Sequence, residues 1–179
     1  VASQSTEPVG LEFNSDGTKM YVLDQNNRNI FQYSLTAFDV STASYDSVSF
    51  SVGTQETTPS EIVFNNDGTK IFVSGLAGDD INEYTLSTAY DISTMSFVDS
   101  FSVTSQSIFS PQSVAFNSDG TKMYVLSNDA PDTVFQYSLT AFDVSTASYD
   151  SISLAINTNS DNAQGITFSP DGTKMYIAD

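Results

Sequence analysis

The amino-acid sequence predicts an all-β fold of tandem repeats, because one segment recurs four times and the composition favours strands. The segment reads Phe-Asn-Ser-Asp-Gly-Thr-Lys-Met-Tyr-Val at 13–22 and returns, with small changes, at 64–73, 116–125 and 168–177. Its aspartates recur at intervals of 51, 52 and 52 residues and are Asp16, Asp67, Asp119 and Asp171. Such a period indicates a repeat architecture. The many Ser, Thr, Phe and Tyr residues favour strands over helices.

Each repeat divides into four short strands. In the first copy they cover Val9–Phe13, Lys19–Leu23, Ile30–Leu35 and the alternating segment around Val48–Val52. The Asp-Gly pair between strands one and two predicts a tight turn, in which glycine takes a positive φ. Strand two is apolar on both faces, which is typical of a strand buried between two layers. The predicted turn glycines are Gly17, Gly68, Gly120 and Gly172.

Four antiparallel strands per repeat, with apolar middle strands, are typical of a β-propeller blade packed between neighbouring blades. A β-solenoid is the rival, but its coils are usually shorter and lack a hairpin at a fixed position. A sandwich would not repeat its sequence. Copies one and three are identical over 17 residues, at 31–47 and 135–151, which indicates that both copies fill equivalent environments.

The motif Phe-Ser-Pro-Asp-Gly-Thr-Lys-Met-Tyr-Ile-Ala-Asp at 168–179 resembles the strand–turn–strand core of bacterial and phage β-propeller repeat proteins of the YVTN-like "PDGTK" type. The segment Leu86–Thr94 also resembles these repeat proteins, and the resemblance covers the whole chain. It implies the propeller fold and says little about function, because such families serve as binding, surface and structural modules.

The strand count predicts about three and a half blades. Their expected bounds are about 5–53, 54–105 and 106–157, with a half blade at 158–179. Met175, Tyr176, Ile177 and Ala178 would then form an unpaired edge strand, which native proteins avoid. We therefore expect this edge to pair outside residues 1–179, either with a second copy of the chain or with further residues of a longer polypeptide.

Charge and missing residue types exclude several functions. The chain has 22 acidic and 5 basic residues, a net charge of −17, which disfavours nucleic acid and anionic membranes as partners. It has no Cys and no His, so thiolate chemistry is excluded and the commonest general base is missing. There is no Gly-x-Ser-x-Gly motif, and the general acidity marks no pair of carboxylates as catalytic.

The loops between strands two and three and between blades carry many acidic residues, and we expect them to share one face, the usual ligand face of propellers. Oxygen ligands of this kind suit Ca²⁺, although no loop has an EF-hand spacing. No other cofactor is expected. Phe109 has no apolar counterpart in the other copies and is a candidate contact residue. The candidate ligand or partner contacts are Asp24, Asp79, Asp80, Phe109, Asp129 and Asp132, with Asp161 on the same predicted face.

Four of the five basic residues follow the Asp-Gly turns, at Lys19, Lys70, Lys122 and Lys174. We expect local pairing with Asp39, Asp91 and Asp143 of the loops between strands three and four.

These observations together predict a non-enzymatic structural or adhesive module that assembles through its blades, outside the cell or on a virion. A carbohydrate- or protein-binding propeller within a longer polypeptide is the alternative, and a propeller-scaffold hydrolase or lyase the third. Glycan or protein ligands fit the first two readings.

Overall fold

The structure is a computed structural model that describes residues 1, 3–156 and 162–179. Within these residues, fourteen strands follow one another with two short 3₁₀ turns, at Ile92–Thr94 and Thr104–Gln106. The strands are β1 Pro8–Phe13, β2 Lys19–Asp24, β3 Asn29–Thr36, β4 Asp39–Ser51, β5 Pro59–Phe64, β6 Lys70–Gly75, β7 Asp80–Leu86, β8 Met95–Ser102, β9 Pro111–Phe116, β10 Lys122–Ser127, β11 Thr133–Thr140, β12 Asp143–Ala155, β13 Gly165–Phe168 and β14 Met175–Ala178.

The strands form three four-stranded antiparallel sheets and one two-stranded sheet, each with its strands in chain order. This arrangement confirms the all-β, propeller-type fold with about three and a half blades. The outer strands are longer than the alternation predicted, since β4 and β12 have 13 residues each. A residue with positive φ interrupts the register of each: Ser47 in β4 and Ser151 in β12.

The Asp-Gly turns have the predicted backbone. Their four glycines have φ between 68° and 71°. In the first turn Asp16 Oδ1 accepts hydrogen bonds from the Thr18 backbone N (2.9 Å) and Oγ1 (2.6 Å). The ring of Phe38 covers Gly17, so that a Cβ there would lie 2.4 Å from a ring carbon. The turn therefore needs glycine both for its φ and for the space under the ring.

The hydrophobic core lies between blades. Tyr21, Leu23 and Ile30 of the first blade pack against Ile62 and Tyr84 of the second. An equivalent layer joins the second and third blades, and a smaller one joins the third blade to β13 and β14. Each blade therefore has a leading face, turned toward the preceding blade, and a trailing face, turned toward the following one.

The lysines do not pair as predicted. Lys19 Nζ lies 2.7 Å from Asp46, Lys70 Nζ 2.6 Å from Glu83 and Lys122 Nζ 2.7 Å from Asp150. The partners lie on strands three and four, because lysine at the start of strand two projects across its own sheet rather than into the loop.

The loop aspartates cap their own turns instead. Asp39 Oδ1 accepts from Ser41 Oγ at 2.6 Å, and the same bond recurs from Ser93 to Asp91 and from Ser145 to Asp143.

The last two strands form a hairpin, in which Gly165 to Phe168 pair with Ala178 to Met175. Among the described residues no third strand lies beside β14. Pairing of this edge outside residues 1–179 stays a prediction. In the described part of the chain, no helix has the length and apolar character needed to cross a membrane.

Candidate functional site

The first strands of the blades line a common channel. β1 lies beside β5, β5 beside β9, and β9 beside β13. Two of these strands carry a glutamate, Glu12 on β1 and Glu61 on β5. The other copies have Val63, Ala115 and Thr167 in place of Glu12. In place of Glu61 they have Gly10, Ser113 and Gly165.

Strands β1 and β5 approach each other closely at Gly10. A Cβ built on Gly10 would lie 3.2 Å from the Ile62 backbone N and 3.4 Å from Glu61 Cα. Glu12 follows Gly10 by two residues, so both project to the same side of β1. Glycine at this position therefore brings the strand that carries Glu12 against the strand that carries Glu61.

Burial in the channel raises the pKa of Glu12 to about 7. The Phe13 backbone N–H, with its nitrogen 3.3 Å from Glu12 Oε2, lowers this pKa in part, and the charge of Glu61 raises it.

Burial likewise raises the pKa of Glu61 to about 7, against the opposing effects of the Ser113 hydroxyl and the Val114 backbone N–H. Glu61 Oε2 is buried and has no hydrogen-bond partner within the described part of the chain. The two carboxyls are thus placed to be partly protonated near neutral pH, and the charge of Glu61 disfavours ionisation of Glu12.

The two glutamates line a cavity of about 750 Å³. Its walls include Tyr124 and Phe168, whose ring centroids are 4.6 Å apart, and its lining extends to the Asp-Gly turns at Asn66, Asn117 and Asp171. No lysine or arginine is among the described residues that line it. The cavity therefore reaches the turn end of the blades, opposite the loop face on which the sequence placed a ligand.

On the predicted loop face, Asp24 and Asp132 are buried and hold the loops between blades. Asp24 Oδ2 accepts from Ser5 Oγ (2.6 Å) and from the backbone N of Thr6 and Glu7 (2.8 Å each). Asp132 Oδ2 accepts from the Ala163 backbone N at 2.8 Å. These hydrogen bonds use the oxygens that a ligand would need.

Asp79 and Asp80 lie near Glu56 and Asp129. Burial raises the pKa of Asp80 to about 6, the Asn82 side chain lowers it in part, and Glu56 and Asp79 raise it. Burial also raises the pKa of Asp79, with Asp129 and Glu56 adding to the effect. Within residues 1, 3–156 and 162–179, no group of three or more Asp or Glu residues is arranged to hold a metal ion.

Phe109 is 60% exposed, and its backbone N donates to Asp129 Oδ2 at 2.7 Å. Asp161 lies outside the described residues.

Glu12 and Glu61 were missed by the reasoning from sequence, which treated them as part of the general acidity. The signal lies in the repeat itself. When the first strands are aligned on Phe13, Phe64, Phe116 and Phe168, each glutamate stands where the other copies have apolar, small or hydroxyl residues.

No family model matches the chain, and no curated protein matches it either. Solved structures do match. A candidate 6-phosphogluconolactonase of Bacteroides uniformis has a TM-score of 0.69 at 10% identity, over 96% of this chain and 47% of that one. The periplasmic gluconolactonase PpgL of Pseudomonas aeruginosa has a TM-score of 0.61 at 12% identity, over 94% and 46%. The β-propeller domain of Cps50 (Swd1) from Myceliophteria thermophila has 0.62 at 11%, over 95% and 49%.

These likenesses establish a β-propeller fold, and the chain spans about half the length of the structures it matches. They also correct the expectation of a non-enzymatic structural or adhesive module. Two of the three structures carry the names of lactone hydrolases, so this scaffold hosts hydrolysis. The missing His and the missing Gly-x-Ser-x-Gly motif therefore do not class the chain as a non-enzyme.

Proposed function

We propose that the chain is part of a propeller-scaffold hydrolase that opens a sugar-derived lactone, with Glu12 and Glu61 as its acid–base pair. The observation that carries this proposal is the presence of two carboxyls in one cavity of the channel, each with its pKa raised to about 7. Perturbed carboxyls that converge in a cavity are a common feature of catalytic sites. The names of the similar structures support lactones as the substrate class.

The pair can perform both proton transfers that lactone opening needs. The ionised glutamate takes a proton from a water molecule as its oxygen attacks the ring carbonyl carbon. The protonated glutamate gives its proton to the ring oxygen as the carbon–oxygen bond breaks. The product is the open hydroxy acid, and a proton passing between the two glutamates restores the starting state.

The cavity favours an uncharged substrate. The described lining residues include Glu12, Glu61 and Asp171 and no basic side chain, which is unfavourable for a dianionic phosphate. An unphosphorylated lactone, with hydroxyls that can bond to Asn and Ser side chains at the mouth, suits this lining better.

Lactone hydrolysis by the purified chain, followed against a protein-free blank, tests the proposal. We expect Glu12→Gln and Glu61→Gln each to lower kcat/KM for glucono-1,5-lactone by about 100-fold or more. Glu7→Gln is the matched control, because Glu7 is an exposed glutamate outside the cavity. The wild-type rate should peak near pH 7, where one carboxyl is ionised and the other protonated. Unchanged rates in both channel variants would refute the assignment.

Three further expectations remain proposals. Membership of the YVTN-like "PDGTK" repeat type is supported by the motif at 168–179 and by the propeller fold. A location outside the cell is supported by the net charge of −17, which keeps a protein soluble in salt water. Binding of Ca²⁺ by the acidic loop face would rest on Asp79 and Asp80.

A further inference from the structure

The leading face of the first blade has exposed apolar residues at positions that are buried in the other blades. Leu11 is 57% exposed, whereas the equivalent Ile62 and Val114 are 1% and 2% exposed. Val40 is 62% exposed, whereas Val144 is fully buried. Leu11 and Val40 line one hollow together with Val9, which is 39% exposed, and with Met20, Val22 and Tyr33, which are already buried within the first blade.

The internal interfaces show what covers such a face. An aromatic residue of strand two packs on the strand-one phenylalanine of the following blade in every case. Tyr21 and Phe64 have ring centroids 4.7 Å apart, Phe72 and Phe116 4.4 Å, and Tyr124 and Phe168 4.6 Å.

The next member of this series is Tyr176 on β14, and it has no ring to cover within the described residues. Tyr176 is 52% exposed, on the trailing face of the half blade. At the other end of the chain Phe13 packs against Phe38, with centroids 5.6 Å apart, as Phe64 packs against Tyr90 at 5.3 Å. The Phe13 pair thus lacks the third ring that the Phe64 pair receives from Tyr21.

We propose that a second copy of this chain docks its β13–β14 hairpin on the leading face of the first blade, with Tyr176 packed on Phe13. Both faces belong to one chain and lie at opposite ends of it, so the contact is head-to-tail. Each copy spans just under half the length of the lactonase-named structures, so two copies together approach the length of one such protein.

Apolar packing holds the partner copy. It must outweigh the repulsion between two chains that each carry a net charge of −17. At 0.1 M ionic strength, salt largely screens the repulsion between exposed charges that are more than about 10 Å apart. Association should therefore strengthen as salt is added, the opposite of what an interface of ion pairs would show.

Light scattering of the purified chain over a range of concentrations measures this association. We expect a species of twice 19.3 kDa or a larger closed ring, with a dissociation constant that Tyr176→Ser and Leu11→Ser each raise about tenfold or more. Neither side chain is buried in the single chain, so both variants should fold, as the far-UV spectrum can verify. Val98→Ser is the control, since Val98 is 51% exposed on β8, the outer strand of the second blade, away from both faces.

Cross-linking fixes the geometry, because the chain has no cysteine of its own. Val9→Cys and Ala178→Cys proteins keep Tyr176, Phe13 and Leu11 in place. Mixed in equal amounts with a short bis-maleimide, they should give a covalent dimer, whereas each protein alone should not. A monomer at every concentration, no covalent dimer in the mixture, or cross-linking of Ala178→Cys to itself would overturn the proposal.

Discussion

Residues 31–47 and 135–151 have the same sequence but different surroundings. Val144 of the third blade is fully buried, and its backbone N donates to Glu83 of the second blade at 2.9 Å. Val40, its counterpart in the first blade, is 62% exposed. The difference shows that burial in a propeller belongs to the contact between blades rather than to the repeat, and each prediction below tests one part of that comparison.

The largest expected effect comes from placing a charge at the two equivalent valines. Val144→Asp buries an unpaired carboxylate between blades and should lower the free energy of unfolding by about 3–5 kcal/mol. Val40→Asp should change it by less than about 0.5 kcal/mol. If the β13–β14 hairpin of a second copy docks on this face, it brings no third strand to cover Val40, so the two variants should still differ in the associated protein. Urea unfolding measures the free energy of unfolding of both variants. Equal losses in the two variants would show that Val40 is covered in solution.

The turn glycines offer the second contrast. A Cβ on Gly120 would lie 2.2 Å from the Phe142 ring, whereas a Cβ on Gly172 would meet nothing within 4 Å. Both have nearly the same positive φ, 68° and 69°. We expect Gly172→Ala to cost about 1 kcal/mol for the backbone alone, and Gly120→Ala about 2–4 kcal/mol because the ring must also move. Phe142→Ala should remove the clash, so Gly120→Ala should cost less in the Phe142→Ala background than in the wild type. An equal cost in both backgrounds would show that the ring does not contribute to it.

Glu12 occupies the channel position that Val63 and Ala115 fill in the second and third blades. Because only Glu12 titrates, its contribution to the free energy of unfolding depends on pH. Below its unfolded pKa of 4.5 the carboxyl is protonated in both states and costs nothing. As pH rises through 4.5 to about 7, the unfolded state ionises first, so the native state loses stability. Glu12→Gln should therefore stabilise the protein by about 1–2 kcal/mol at pH 8 and by almost nothing at pH 4. Melting curves at the two pH values measure this, and a gain of equal size at both would contradict the raised pKa.

The smallest expected effect concerns calcium at the loop face of the second blade. Burial, and then the charges of neighbouring acids, raise the pKa values of Asp79 and Asp80. The described loops present no group of three carboxylates arranged for a metal. We expect millimolar Ca²⁺ to shift the melting temperature by a few degrees or less relative to a chelator. A large rise would instead establish a metal site there.

The sequence alone determined the repeat, the four strands of each blade and the glycine turns. These features depend on local rules, since alternation of side chains sets the faces of a strand and Asp-Gly sets the turn. Lysine pairing was mispredicted because the partners of Lys19 and Lys122, Asp46 and Asp150, lie two strands away in the same sheet and 27 and 28 residues away in the chain.

Only the tertiary structure decided which acidic residues converge. Glu12 and Glu61 lie far apart in the chain, and they line one cavity because Gly10 lets the adjacent strands β1 and β5 approach each other closely. Only the tertiary structure likewise showed that Val40 is exposed and Val144 buried, since the segments 31–47 and 135–151 that contain them are identical. Which neighbouring blade covers a residue depends on the place of its blade in the row of blades, and a repeat of identical sequence cannot encode that place.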